Sequence, residues 1–416
     1  MEKVDVVVVG GGQSGVAVSE HLTNKGISHV VLEKDRIAER WRTGRWDSLV
    51  TNGPAWHDRF PRAEHSVHGD DFVPKDGVAD YMADYAANHC GDIREGVEVR
   101  KVTRNPITRG FLTETSAGDF ESDYVVSATG AFQIPVIPPV IPADAPVTQL
   151  HSDDYRNPQD LPAGGVLVIG SGSSGVQIAE ELREAGREVF LAVGPHDRPP
   201  RRYRNRDIIW WMGVLHRWDA AVPEDGGAPV AMAMSGAKGG NTIDFRKMAA
   251  SGITLLGLAK SYQDGALQFA DDLRANLDDG DRRYLELLQE ADEYVATNNI
   301  ELPAEPEAHE LGEYPDCVVN PILELDFAAN GISTVIWATG FARNYDWLQV
   351  DGAVDERNNP LHHRGIGQAH GLYFVGLPWQ SRRASSFIYG CWHDARFIAD
   401  QIESKKFYHA YEHALG

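Results

Sequence analysis

Val4-Asp5-Val6-Val7-Val8-Val9-Gly10-Gly11-Gly12-Gln13-Ser14-Gly15 opens the chain with an apolar strand and a glycine-rich turn, and helix-compatible residues follow to Asn24. The turn fits G-x-G-x-x-G through Gly10, Gly12 and Gly15, with Gln13 and Ser14 between the last two glycines. Its glycines allow a tight turn and close backbone approach, and the helix N-terminus then receives a pyrophosphate. The pattern returns after Val166-Leu167-Val168-Ile169 as Gly170-Ser171-Gly172-Ser173-Ser174-Gly175, again leading into a helix, to Ala185. A single match is weak evidence. Two matches in strand–turn–helix context imply two dinucleotides, a flavin fed by a nicotinamide. The expected fold class is α/β, with two Rossmann-like dinucleotide-binding domains.

Each turn is followed by a second strand whose end carries the nucleotide preference. After His29–Leu32 stand Glu33 and Lys34. Glu33 lies about 20 residues beyond the turn, where an acid accepts both ribose hydroxyls; the plainer reading is a solvated strand end. After Glu188–Val193 no acid follows at once, and Arg198, Arg201, Arg202, Arg204 and Arg206 gather instead. Arginines in place of the acid suit a 2′-phosphate, so NADPH is expected over NADH, with Arg198, Arg201 and Arg202 as candidates. A basic solvated loop is the alternative.

Between the turns, helical spacing marks Val78–His89, and short alternating runs from Val97 to Ala128 read as a β-meander ending in Ala128-Thr129-Gly130. Ile134 to Pro146 is a Pro-rich extended linker. Beyond Arg204, Ile208–Trp218 and Thr242–Ala250 read as helices, and Ile253–Leu258 with Ala266–Phe269 as a hairpin at Asp264-Gly265. Asp271 caps a long amphipathic helix interrupted at Gly280. Thr334 to Gly340 then echoes the earlier Ala-Thr-Gly as Ala338-Thr339-Gly340, and a last helix runs from Ser386 to Glu403. Residues 1–145 and 335–416 are thus expected to form a discontinuous FAD domain. Residues 146–334 form the inserted NADPH domain, whose partly helical insertion, about 200–300, is either a lid or padding.

The composition sets limits. With 39 basic against 61 acidic side chains the net charge is −22, which argues against a nucleic-acid or anionic-membrane partner. The apolar run at the N-terminus is too short for a signal peptide or a span, so a cytoplasmic protein is expected. Cys90, Cys317 and Cys391 form no C-x-x-C, which disfavours thiol–disulfide chemistry. No histidine set has metal-ligand spacing, and His362-His363 is read as a loop.

In this order the motifs resemble the flavin-containing monooxygenases, the class B flavoproteins that use FAD and NADPH. The resemblance spans nearly the whole chain: the first turn, Glu33, Glu39-Arg40-Trp41-Arg42, Trp46-Asp47-Ser48-Leu49, the first Ala-Thr-Gly, His151 with Tyr155, the second turn, the second Ala-Thr-Gly and Leu372-Tyr373-Phe374. One departure stands out. The family's F-x-G-x-x-x-H fingerprint reads here Ala145-Pro146-Val147-Thr148-Gln149-Leu150-His151, and the tryptophan of the Baeyer–Villiger branch is Tyr155. His151 is then either a functional residue or a structural linker histidine.

The resemblance implies that NADPH reduces FAD, that O2 adds at the flavin C4a carbon, and that a small organic substrate takes one oxygen atom. It also places Asn52, in Thr51-Asn52-Gly53-Pro54, beside the reactive flavin edge as a hydrogen-bond donor; by itself Asn-Gly-Pro is an ordinary turn. Trp41, Trp46 and Trp56 either wall the flavin or belong to the core. Arg40, Ser48, Leu49, Trp379 and Ser386 complete the expected cofactor shell, the last two through the N-terminus of the final helix. An NADPH oxidase or dehydrogenase, and a non-catalytic FAD/NADPH redox sensor, are the competing functions. A homodimer is the default assembly.

Overall fold

A computed structural model describes residues 1–222 and 231–414. Two sheets organise them. In the first, Leu372–Phe374, Phe120–Ser127, Glu2–Val9, His29–Leu32 and Asp92–Arg94 run parallel in that spatial order. The meander Val99–Arg104, Phe111–Thr115 and Phe120–Ser127 is antiparallel and joins this sheet at its last strand. In the second sheet, Ile253–Leu256, Val189–Ala192, Gly165–Ile169, Ile332–Trp337 and Thr148–His151 are all parallel. The chain therefore enters the second sheet at Thr148, leaves it at Trp337, and returns to finish the first. The fold is two Rossmann-like dinucleotide-binding units, one inserted into the other.

The central strands read as unbroken apolar runs because both faces are covered: Val6, Val7 and Val8, like Val166, Leu167 and Val168, are wholly buried. Helix Gln13–Asn24 and the final helix Ile388–Ala414 close one face of the first sheet through Val16, Leu22, Ile398 and Ile402. Helix Ser173–Glu184 covers the second sheet with Val176, Ile178, Ala179 and Leu182. Where the chain crosses between units, Ile134–Pro135 of the linker pairs antiparallel with Phe341–Ala342 on the return path.

Several local expectations are corrected. Ile253–Leu256 is the edge strand of the second sheet, and the hairpin partner of Ala266–Phe269 is Ala259–Gln263. The apolar run breaks at Gly257, where a side chain would meet the Ala270 carbonyl at 2.1 Å. Asp264 (φ 51°) and Gly265 (φ 89°) do make the turn. The long helix runs unbroken over Leu273–Asn298, with Asp272 at its N-cap position. Gly280 sits inside it because the His196 ring packs there, 2.5 Å from where a Cβ would stand. Ile208–Val214 is helical, but His216 (φ 55°) separates it from a 3-10 turn over Arg217–Asp219. His362–His363 is a short strand at the edge of the first sheet. The final helix starts at Ile388, after a 3-10 turn at Arg383–Ser386, and extends beyond Glu403. Of the insertion, residues 223–230 lie outside the described residues.

Candidate functional site: two glycine turns and the loop between them

The two turns share one geometry. Gly10 (φ 106°) and Gly170 (φ 119°) take backbone angles that L side chains avoid. A Cβ on either would strike the carbonyl of Ala128 or Ala338, at 2.7 and 2.4 Å, so each Ala-Thr-Gly segment is the floor under its turn. Gly15 and Gly175 pack onto the first glycine of their own turns, where a Cβ would lie 1.9 and 1.8 Å from its carbonyl oxygen. Both helices start at a glycine N-cap with no side-chain cap and no acid in the first turn. Their first amides therefore remain available to an anion, the requirement for a dinucleotide phosphate.

The turns differ in what covers them. Around Gly12 a Cβ would meet nothing within 4 Å, which leaves room for a pyrophosphate. Glu33 reaches back over this turn, accepting from the Gly11 amide at 2.6 Å and the Asp35 amide at 2.9 Å, while Lys34 is exposed. Ser14 packs under Gly376 at the end of strand Leu372–Phe374. Gln133 holds Thr129 and the Gly130 carbonyl through its side-chain amide, at 3.0 and 2.8 Å. At the second turn, Ala231 lies 3.3 Å from a Cβ on Gly172. Ser173 donates to the Met232 carbonyl at 2.8 Å and accepts from the Met234 amide at 3.2 Å. Part of the insertion thus lies across the second turn, while Ser174 and Gly175 continue into the helix. Thr339 donates to the Val136 carbonyl, and the Gly340 carbonyl accepts from His151.

Asn52 stands where the two units meet. Gln177, in the second-turn helix, donates from Nε2 to the Met234 carbonyl at 2.6 Å and to Asn52 Oδ1 at 2.9 Å. A backbone carbonyl only accepts, so this bond identifies the Gln177 amine and, through it, the Asn52 oxygen. The Asn52 amine is turned the other way, and among the described residues nothing accepts from it. Arg201 fixes the same residue from behind, donating to the Asn52 carbonyl at 2.6 Å. Its guanidinium also chelates Asp207 and lies 4.6 Å over the Phe72 ring.

The proposed phosphate-binding arginines thus have distinct settings. Arg201 is 3% exposed and committed to Asp207 and Asn52. Arg198 is 4% exposed and paired with Asp281, which also takes Arg246 on its second oxygen at 2.6 Å. Arg202 is exposed, with one contact to the Gly239 carbonyl at 3.3 Å.

Residues 40–49 divide between the two units. Trp41 donates to Gln13 at 3.3 Å, and Gln13 donates to the Ser386 carbonyl at 2.9 Å, so the first turn is tied to the segment before the final helix. Arg40 pairs with Asp153 at 2.8 Å. Trp46 and Leu49 instead enter the core of the second unit with Tyr155. Ser48 and Tyr155 both donate to Glu181, each at 2.7 Å. His151 is structural: its Nε2 bonds the Gly340 carbonyl at 3.0 Å, its Nδ1 accepts from the Asp153 amide at 3.1 Å, and burial lowers its pKa. With both ring nitrogens on backbone, neither is left to exchange protons with a ligand. Trp56 is partly exposed at 38%, and Trp379 holds φ 56° with the Arg383 guanidinium 5.2 Å from its ring. Gln177 was missed from sequence, although a buried glutamine among Val176, Ile178 and Ala179 is the kind of anomaly that marks a polar task.

The three thiols are unpaired, and burial raises the pKa of each, that of Cys90 to about 12. Among the described residues no group of side chains could hold a metal ion, and no helix is long and apolar enough to cross a membrane.

Residues 7–205 match the pyridine nucleotide-disulphide oxidoreductase family model. An uncharacterized CzcO-like oxidoreductase of Geobacillus kaustophilus is 32% identical over 408 residues, covering 96% of this chain and 98% of the relative. The chain belongs to the CzcO-like oxidoreductases. A second relative, the probable indole-3-pyruvate monooxygenase YUCCA10 of Arabidopsis thaliana, is 30% identical over 240 residues, 56% of this chain and 59% of its own. Among solved structures, a flavin-containing monooxygenase from Stenotrophomonas maltophilia superposes with a TM-score of 0.67 at 18% identity, covering 97% of this chain and 99% of that one. This CzcO-like chain is therefore an oxidoreductase built to use a flavin and a nicotinamide nucleotide.

Proposed function

We propose that the protein is an NADPH-dependent FAD monooxygenase that transfers one oxygen atom of O2 to a small organic substrate. The observation that carries this reading is the Asn52 amide, held by Gln177 so that its amine is left to donate at the junction of two dinucleotide turns. FAD suits the first turn, which is open at Gly12 and has Glu33 at its ribose end; NADPH suits the second. When bound, the flavin supplies electron transfer to O2 and activation of one oxygen atom. The chain's own part is to orient a donor toward that oxygen and to keep water from it. Three protonated, unpaired thiols argue against a disulfide reductase.

The test is stopped-flow absorbance of the NADPH-reduced holoprotein mixed with oxygenated buffer. A return of the oxidised flavin spectrum that is delayed, and hastened by an oxidisable substrate, is the expected result. Immediate return with one hydrogen peroxide per NADPH, whatever compound is added, would assign an oxidase instead. Two substitutions refine the reading. Asn52→Ala should keep flavin but raise peroxide released per NADPH severalfold, and Gln177→Leu should move it the same way; unchanged coupling in both removes Asn52 from the chemistry. Of the three arginines, Arg202 alone has an exposed guanidinium, so Arg202→Ala should raise KM for NADPH about tenfold, the scale of one charge-assisted contact, and spare NADH. An equal effect on both nucleotides would place the 2′-phosphate elsewhere.

A further inference from the structure

Two of the buried histidines spend both ring nitrogens. His29 bonds Ser19 and the Ile27 carbonyl, each at 2.8 Å, and His151 bonds backbone on both sides. His57 does not. Its ring is buried, its Nδ1 stands 2.9 Å from Asp58 Oδ1, and its Nε2 is shut off from solvent with no hydrogen-bond partner among the described residues. His196 and His393 also lack a partner at Nε2, but neither has a carboxylate on its other nitrogen. In His57, Asp58 holds the Nδ1 proton, so Nε2 keeps a lone pair that faces no donor. Leaving such an atom unpaired is costly, and where it persists it calls for a ligand.

The ring's position says which ligand. Asp58 also accepts from the Gly53 amide at 3.1 Å, so the pair is fastened to the residue next to Asn52. Trp218 stacks on His57 with centroids 5.3 Å apart, and Tyr389 lies 4.9 Å away. Tyr389 lies in the first turn of the final helix, three residues after Ser386, whose carbonyl binds Gln13 of the first glycine turn. The insertion is clamped here as well: Arg382 pairs with Asp219, and the Arg383 amide donates to the Ala220 carbonyl. Trp56 meets the imidazole edge-on at 5.5 Å and Phe387 meets Trp218 edge-on at 5.1 Å, and each remains 38% exposed. The imidazole is thus gripped by rings from three segments, with aromatic surface left bare beside it.

We propose that His57 is a substrate-binding residue, whose Nε2, enclosed by rings in this structure, is uncovered when Trp56 turns aside and then accepts a hydrogen bond from an N–H or O–H of a flat aromatic substrate seated against Trp56 and Phe387. The inference rests on reading the junction of the two glycine turns as the flavin site, but not on the outcome of the oxygen reaction. No proton is transferred; the bond selects and orients the ligand.

The test titrates oxidised, flavin-loaded protein with indole and with 1-methylindole, which lacks the N–H, following perturbation of the flavin absorbance. Indole should bind about tenfold more tightly, the scale of one otherwise unsatisfied hydrogen bond. His57→Phe, which fills the slot but cannot accept, should bring the two affinities together, and His57→Gln should restore part of the preference. Flavin content and melting temperature identify a variant that has simply misfolded, in which case His57→Gln carries the comparison. Equal affinities in the unsubstituted protein, a preference that survives His57→Phe, or no perturbation by either probe would each overturn the proposal. So would binding of benzoate but not indole that is lost in His57→Phe, since Nε2 would then be a donor. Peroxide release at one per NADPH whatever compound is added, indole included, would sink the oxygenase reading and leave this titration intact.

Discussion

Gly15→Ala is expected to lose the flavin and the packing of the first unit together. An alanine Cβ at this position would lie 1.9 Å from the Gly10 carbonyl oxygen. Neither side can yield cheaply, because Gly10 is itself at φ 106° and pressed against the Ala128 carbonyl beneath it. Overpacking a core costs about 1–3 kcal/mol where side chains can shift, and here both atoms belong to a backbone turn, so the upper end or more is expected. Against a total stability of about 5–15 kcal/mol that is a large loss. The control is Gly12→Ala, whose Cβ would meet nothing within 4 Å. It should leave the apoprotein's melting temperature unchanged while weakening flavin binding, because its methyl occupies the space a pyrophosphate needs. The ratio of flavin to protein absorbance, with melting of both apoproteins, separates the two effects. Full flavin content in Gly15→Ala would mean that the first turn is not a cofactor cradle.

Asp281→Ala should destabilise the protein by about 3–5 kcal/mol, the cost of stranding buried charge. Among the described residues, Asp281 is the only carboxylate paired with both Arg198 and Arg246, which are 4% and 9% exposed. Removing it leaves two guanidinium groups facing one another in the second unit. Urea unfolding gives the measurement, and a loss below about 1 kcal/mol would show that water reaches the pair after all. Replacing all three residues by apolar ones of similar volume should recover most of the loss, because a dry cluster has no charge to strand. The same pair bears on nucleotide choice. Arg198 and Arg201 were read from the sequence as phosphate ligands, yet each is neutralised by an aspartate supplied by the fold.

How far the primary structure reached is clearest at the two glycine turns. Strand, turn and helix are adjacent there, and backbone sterics alone decide which positions must be glycine, so Gly10, Gly15, Gly170 and Gly175 were legible residue by residue. The strands Val4–Val9 and Val166–Ile169 were legible for the same local reason, since a buried parallel strand is an unbroken apolar run. Ile253–Leu256 was read as half of a hairpin because a short apolar strand carries no mark of its partner; pairing with Val189–Ala192 is a tertiary choice. Trp46, Ser48 and Leu49, expected around the flavin, also fasten their loop to the second unit, as neighbours in sequence became contacts across an interface.

Charge and hydrogen-bond partnership were the least legible. An arginine in the sequence is a cation whatever stands near it, and only the folded chain brings Asp207 to Arg201 and Asp281 to Arg198. The direction of the Asn52 amide and the bare Nε2 of His57 are likewise invisible in one dimension. The first follows from a bond that a distant residue, Gln177, makes, and the second from a partner that no described residue supplies. Short-range sterics and periodicity therefore dictated the two dinucleotide-binding turns, while packing between sequence-distant segments decided which polar groups remain free beside them.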